Sequence, residues 1–169
     1  PSITLPVCAA IDNRAFVNCS SLSVVNAPNV TSVGEYAFES CSSLSTIVMP
    51  AIQKIDTRAF TECSNLASIH LPSCSDIGEG AFERCTALSV VSLPSCWFIG
   101  IGAFGLCRGL TDVDLPLCRT LGSAAFADCE NLSTIRLPVC EYINNQAFAW
   151  CYNLVSLYLT SVSSVPELD

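Results

Sequence analysis

The sequence predicts an α/β repeat solenoid: a curved right-handed coil with one short parallel β-strand per turn on its concave face and a short helix or 3₁₀ turn on its convex face. Three observations carry this. The octapeptide AFERCTAL at 81–88 recurs six more times, as AFVNCSSL, AFESCSSL, AFTECSNL, AFGLCRGL, AFADCENL and AFAWCYNL. Its Phe falls at Phe16, Phe38, Phe60, Phe82, Phe104, Phe126 and Phe148, a period of 22 without insertion or deletion. Between these octapeptides runs an apolar stretch with a two-residue alternation, which is the mark of a strand.

The strand comes first in each unit. In LSVVSLP at 88–94, Leu88, Val91 and Leu93 are expected to point inward and Val90 and Ser92 outward, because successive strand side chains take opposite faces. The proline column Pro6, Pro28, Pro50, Pro72, Pro94, Pro116 and Pro138 then ends each strand, since proline has no N–H for the ladder. After a loop, an aliphatic column (Ile11, Val33, Ile55, Ile77, Ile99, Leu121, Ile143) is expected to enter the core. The next column reads Asp12, Gly34, Asp56, Gly78, Gly100, Gly122 and Asn144, residue types favoured at a helix N-cap, and the Ala-Phe segment is expected to be the short helix that follows. The whole of 1–169 reads as one domain of about seven repeats, with 1–6 a partial N-terminal repeat and 159–169 a C-terminal end or cap, where Thr160 replaces the proline.

Composition narrows function. At 169 residues the chain is 51% hydrophobic and 13% charged, enough apolar material for a continuous core. The net charge of −8, with seven scattered Lys and Arg, disfavours a nucleic-acid partner, which needs clustered cations. No apolar run approaches the roughly 20 residues of a spanning helix, so no membrane insertion by this segment is expected.

Twelve cysteines form two columns: Cys19, Cys41, Cys63, Cys85, Cys107, Cys129 and Cys151, then Cys8, Cys74, Cys96, Cys118 and Cys140. The second column also accepts Val30 and Ile52, so Cys41 and Cys63 lack a same-repeat partner and obligate pairing within a repeat is excluded. Pairing between repeats would join near-parallel side chains, a poor match to disulfide geometry. The cysteines are therefore expected to be free, buried thiols that fill the core as small hydrophobes. No C-x₂-C spacing supports a zinc site, and neither a metal nor a cofactor is expected.

A fixed period with a Leu-x-x-Ile-x-Leu core is the pattern of leucine-rich-repeat solenoids. The unit LP-x₄-IG-x₂-AF-x₂-C-x₂-L-x₂-I-x-L, here LPSCSDIGEGAFERCTALSVVSL from Leu71 to Leu93, resembles the BspA-like leucine-rich repeat family of bacterial and protist surface proteins. That resemblance implies a solenoid within a larger secreted or cell-surface protein, with roles in adhesion to host proteins or other cells. It brings no catalytic residues.

Candidate sites lie at outward positions that break the local rule. On the strand face these are His70, Asp112, Asp114, Arg136 and Tyr158, a contact surface for a peptide, an extracellular-matrix or host protein, or a glycan. The bland alternative is an ordinary Asp114–Arg136 cross-strand ion pair with Asp112 solvated. A second group is apolar: Trp97, Phe98, Ile101, Leu106, Tyr142, Trp150 and Tyr152 stand where other repeats place mostly small or polar residues. They are expected either to form a partner patch, including one for a homo-oligomer, or to cover gaps left by Gly100, Gly102, Gly105 and Gly109. No nucleophile elbow, phosphate-binding glycine loop or zinc-protease helix occurs, so the chain is read as a non-enzymatic interaction module, with a structural or self-associating spacer as the rival. Asn18, Asn29 and Asn131 head N-x-S/T triplets, relevant only to an exported eukaryotic chain.

Overall fold

The computed structural model describes residues 1–160, and the expected end segment after Thr160 lies outside them. Each turn contributes two strands. The longer ones are β1 (Ser2–Thr4), β3 (Val24–Asn26), β5 (Thr46–Val48), β7 (Ser68–His70), β9 (Val90–Ser92), β11 (Asp112–Asp114), β13 (Thr134–Leu137) and β15 (Ser156–Leu159). Between them run two-residue strands: β2 (Ala10–Ile11), β4 (Ser32–Val33), β6 (Lys54–Ile55), β8 (Asp76–Ile77), β10 (Phe98–Ile99), β12 (Thr120–Leu121) and β14 (Tyr142–Ile143). All pairing is parallel and advances one repeat at a time, as Val24↔Thr46 and Phe98↔Thr120 illustrate.

The short strands build one continuous sheet of seven, β2 through β14. This second sheet was not legible as a strand, because two residues with a single buried aliphatic give no alternation to detect. The long strands form a sheet of three (β1, β3, β5) and a sheet of five (β7 to β15), with the ladder interrupted between β5 and β7. Their inward residues, including Leu88, Val91 and Leu93, are buried as the alternation requires, while Val90 is exposed.

No helix occurs among the described residues, so the α/β assignment and the expected convex helix are corrected: the fold is an all-parallel β-solenoid. The Ala-Phe segment is a run of turns whose amides divide by parity. In the fourth repeat the Ala81, Glu83 and Cys85 amides close i→i−3 bonds to Gly78, Gly80 and Phe82. Alternating with them, the Gly80, Phe82 and Arg84 amides cross to the carbonyls of Ile101, Ala103 and Gly105, all at 2.8 Å. A helix would keep every amide within its own turn. Here half of them stitch neighbouring turns together, which forces the left-handed region at two positions per repeat, such as Gly80 (φ 59°) and Arg84 (φ 61°).

The Asp/Gly/Asn column is accordingly not an N-cap. A Cβ on Gly100 would lie 2.7 Å from the Gly78 carbonyl carbon, and one on Gly122 would lie 2.5 Å from that of Gly100. These glycines let consecutive turns approach backbone to backbone.

Behind the turns the phenyl rings stack. Phe16, Phe38, Phe60, Phe82, Phe104 and Phe126 follow one another at centroid separations of 5.1, 5.1, 5.2, 5.3 and 5.2 Å with nearly parallel planes. Such pairs contribute about 0.5–1.5 kcal/mol each beyond burial. The Leu, aliphatic and Cys columns complete one core along the whole solenoid.

Candidate functional site

The two cysteine columns are free thiols, and nine of the twelve are buried: Cys41, Cys63, Cys74, Cys85, Cys96, Cys107, Cys118, Cys129 and Cys140. They do more than fill space. In the first column each sulfhydryl from Cys41 onward donates to the carbonyl of the preceding repeat's Phe, as Cys85 does to Phe60 at 3.2 Å and Cys107 to Phe82 at 3.1 Å. In the second column the thiol turns to a carbonyl two residues on, as Cys96 does to Phe98 at 3.2 Å. Burial pushes the Cys74, Cys96 and Cys107 thiols up to about 12 and the Cys41 thiol up to about 11. These groups are protonated structural donors, and reactive-thiol chemistry has no foothold in them.

On the long-strand face, register gathers the polar candidates. His70 pairs with Ser92, Ser92 with Asp114, Asp114 with Arg136, and Arg136 with Tyr158, so one outward row crosses β7, β9, β11, β13 and β15. At its start, His70 Nδ1 and Ser92 Oγ are hydrogen-bonded at 2.9 Å. The ordinary Asp114–Arg136 ion pair is not made; instead the Arg136 guanidinium lies over the Tyr158 ring, 5.2 Å from its centroid. Asp112 and Asp114 are exposed, project from the same strand, and have no ion-pair partner among the described residues.

The apolar group does not assemble into one patch. Trp97 (46% exposed) packs its ring against Phe98 at 5.9 Å, and Phe98 shares the outward face of the short-strand sheet with Thr120 and Tyr142. Ile101 edges a small hollow with Arg58, Glu79 and Glu83. No ring covers Gly102, since a Cβ built there meets nothing within 4 Å. Leu106, Trp150 and Tyr152 belong to a different face. They continue the columns that line a groove of about 820 Å³, bounded by Asn18, Ser40, Glu62, Arg84 and Leu106 on one side and Ser20, Ser42, Ser64, Thr86 and Arg108 on the other. Sequence reasoning missed this groove. Its only trace was a run of hydroxyl residues four positions after the first Phe columns, which reads equally well as loop.

Two of the triplet asparagines bond across turns: the Asn131 amide donates to the Arg108 carbonyl at 2.8 Å, and the Asn29 amide to the Pro6 carbonyl. Among the described residues no group of His, Cys, Asp and Glu is arranged to hold a metal ion, and no helix is long and apolar enough to cross a membrane.

The model of the BspA-type leucine-rich repeat region matches residues 1–97 and 75–167, with six copies. The chain belongs to that family. Among solved structures, this BspA-type array is similar to the T. pallidum leucine-rich repeat protein, at 27% identity and a TM-score of 0.62 over 96% of this chain and 70% of that one. It also resembles a leucine-rich cell surface protein from Faecalibacterium prausnitzii A2-165, at 23% identity and TM-score 0.65, covering 97% of this chain and 60% of that one. A leucine-rich repeat protein from Eubacterium ventriosum is similar at 20% identity and TM-score 0.75, covering 95% and 56%. The chain thus spans less than two thirds of the latter two, and these two likenesses speak to the fold. A search of curated proteins finds no match.

Proposed function

We propose that this BspA-type array is a non-enzymatic interaction module of a cell-surface protein, and that its long-strand face recognises a protein partner presenting a cationic segment. The observation that carries the reading is the pair of unpaired carboxylates, Asp112 and Asp114, on one strand beside the Arg136–Tyr158 stack. A solenoid holds such a row rigidly, so little ordering cost attends binding. The surface setting is supported by the family match and by the likeness to the F. prausnitzii cell surface protein.

The test is a binding screen against extracellular-matrix proteins with two paired variants, Asp112→Ala/Asp114→Ala and Trp97→Ser/Phe98→Ser. The expected result is a hit that weakens at least tenfold in the aspartate variant and falls steeply with salt, as exposed charge recognition does. A hit lost only in the aromatic variant moves recognition to the short-strand sheet. The exposed Trp97 and Tyr142, with the half-buried Phe98, favour one rival, self-association through that sheet. Sedimentation velocity decides it: a monomer in both wild type and Trp97→Ser removes the rival.

A further inference from the structure

We infer that the groove beside the phenylalanine stack is a second binding site, separate from the strand face, and that its ligand is a linear, uncharged glycan of β-linked hexoses.

The groove crosses five consecutive turns, from Asn18 to Leu106 and from Ser20 to Arg108. At the roughly 4.8 Å spacing of paired strands, four steps give a trough about 19 Å long. Its volume of about 820 Å³ is in the range that binds small ligands and oligomers. The advance per turn is close to the advance of an extended β-linked sugar chain per ring, so one sugar would meet one turn.

Three features choose this chemistry. First, the hydroxyls there are unspent. Elsewhere the serines bond to the preceding turn, as Ser45 does to Ser23, Ser89 to Ala67 and Ser133 to Thr111, at 3.1 to 3.2 Å. In the groove, Ser20, Ser42, Ser64 and Thr86 meet no protein acceptor among the described residues, although Ser42 and Ser64 are half-buried. Second, the backbone is closed to a peptide. The Asn18, Ser40, Glu62, Arg84 and Leu106 amides all donate to the next turn, and the Ser20, Ser64, Thr86 and Arg108 amides donate to the residue two before them. An extended peptide adding itself as a strand needs a continuous free edge, and with these amides spent the groove offers none. Third, the charges are matched. Glu62 lies 3.8 Å from Arg84 and accepts from Ser40 at 3.0 Å, and Arg108 is paired with Glu130 at 3.1 Å. A polyanion or polycation finds no net field to follow.

An aromatic platform extends the same columns. Two repeats beyond Leu106 and Arg108 the positions hold Trp150 and Tyr152, 53% and 76% exposed. Trp150 is held at φ 58° by the turn, which fixes the direction in which its Cβ leaves the backbone. Rings with an apolar face and a polar tip suit the apolar faces of sugars.

The experiment is titration calorimetry with cello- and manno-oligosaccharides of two to six units. Wild type is compared with Thr86→Arg, which fills the trough from an exposed position, and with Trp150→Ala and Tyr152→Ala. Folding of each variant is checked by its circular dichroism and melt, and the highly exposed Tyr152→Ala tolerates truncation if another variant does not. The expected result is binding that strengthens with length across the series, weakens at least tenfold in Thr86→Arg, and is unchanged in Asp112→Ala/Asp114→Ala. Absence of binding at every length overturns the proposal. So does binding indifferent to length or to the groove and aromatic variants. Because the strand-face variant is a separate arm, loss of the protein-partner reading leaves this one standing, and the reverse.

Discussion

The first cysteine column shows why one residue type recurs at seven equivalent positions. A side chain there must be small, apolar, and able to give one weak hydrogen bond to a Phe carbonyl of the turn before. Valine meets two of these requirements and serine loses the apolar one. Cys85→Val is expected to cost about 1 kcal/mol through the lost donor. Cys74→Val is expected to be nearly neutral, because its column already accepts Val30 and Ile52; paired urea titrations check both. Burial also fixes the alkaline limit. The folded thiols at Cys74, Cys96 and Cys107 titrate at about 12 against an ordinary value of 9.0. Below pH 9 both states are protonated and the thiols leave stability unchanged with pH. Above it the unfolded chain has lost protons that the folded chain keeps, so each such thiol removes about 1.4 kcal/mol per pH unit until its folded value is reached. Melts recorded from pH 8 to 11 are expected to show a steep loss of Tm beginning near 9, and a flat profile refutes the buried-thiol assignment. A thiol reagent is expected to reach the exposed Cys19 readily, to react slowly with the nine buried thiols of the folded protein, and to count near twelve after denaturation without reductant. Thiol burial was legible from Val and Ile sharing the second column. The donor role was not, because a sequence does not say where a carbonyl points.

The turn segment is the element at which sequence and structure part. Ala-Phe after Asp, Gly or Asn has the composition of a capped helix, and nothing in a single repeat contradicts that. The deciding interactions run between repeats: with alternate amides drawn to the next turn, two residues per repeat take φ near 60°, among them Tyr36, Leu106 and Trp150. Left-handed geometry costs a non-glycine residue on the order of 1 kcal/mol, and the cross-turn bonds offset it. Glycine at 80 and 102, in the first of these columns, was the one written hint. Two neighbouring glycines separate the effects. At Gly102 (φ 58°) a Cβ meets open space, so Gly102→Ala is expected to cost about 1 kcal/mol in backbone strain alone. At Gly100 the Cβ would be driven into the backbone of the turn before, and Gly100→Ala is expected to cost about 2–3 kcal/mol. Equal losses in chemical denaturation contradict this reading. The short strands stayed hidden for a related reason, since their existence depends on the neighbour's backbone and hardly on their own side chains.

Across the whole molecule the 22-residue register made the solenoid, its inward columns and its strand-face row legible, because a fixed period places equivalent residues side by side. The groove and the division of the apolar residues between two faces were not, since both depend on how a turn closes. Stability follows the same one-dimensional logic. Phe82 has a stacked ring on either side, whereas Phe16 has one neighbour and is only partly buried among the described residues. Phe82→Ala is expected to cost about 3–5 kcal/mol and Phe16→Ala less than half of that, by equilibrium denaturation. Comparable losses at the two positions contradict nearest-neighbour stacking.

The direction of the stitching amides has a meaning for descent. Between its two left-handed residues, as from Gly80 to Arg84, each repeat sends its crossing N–H groups to the next repeat, so each turn offers its successor the same donors it received from its predecessor. A gene of this kind tolerates unequal recombination: an exchange that adds or removes one repeat's worth of codons, at any phase, restores every junction with its bonds and its phenyl stack intact. Arrays built this way can change length in a single genetic event while the fold is preserved, leaving the exposed columns free to diverge from copy to copy.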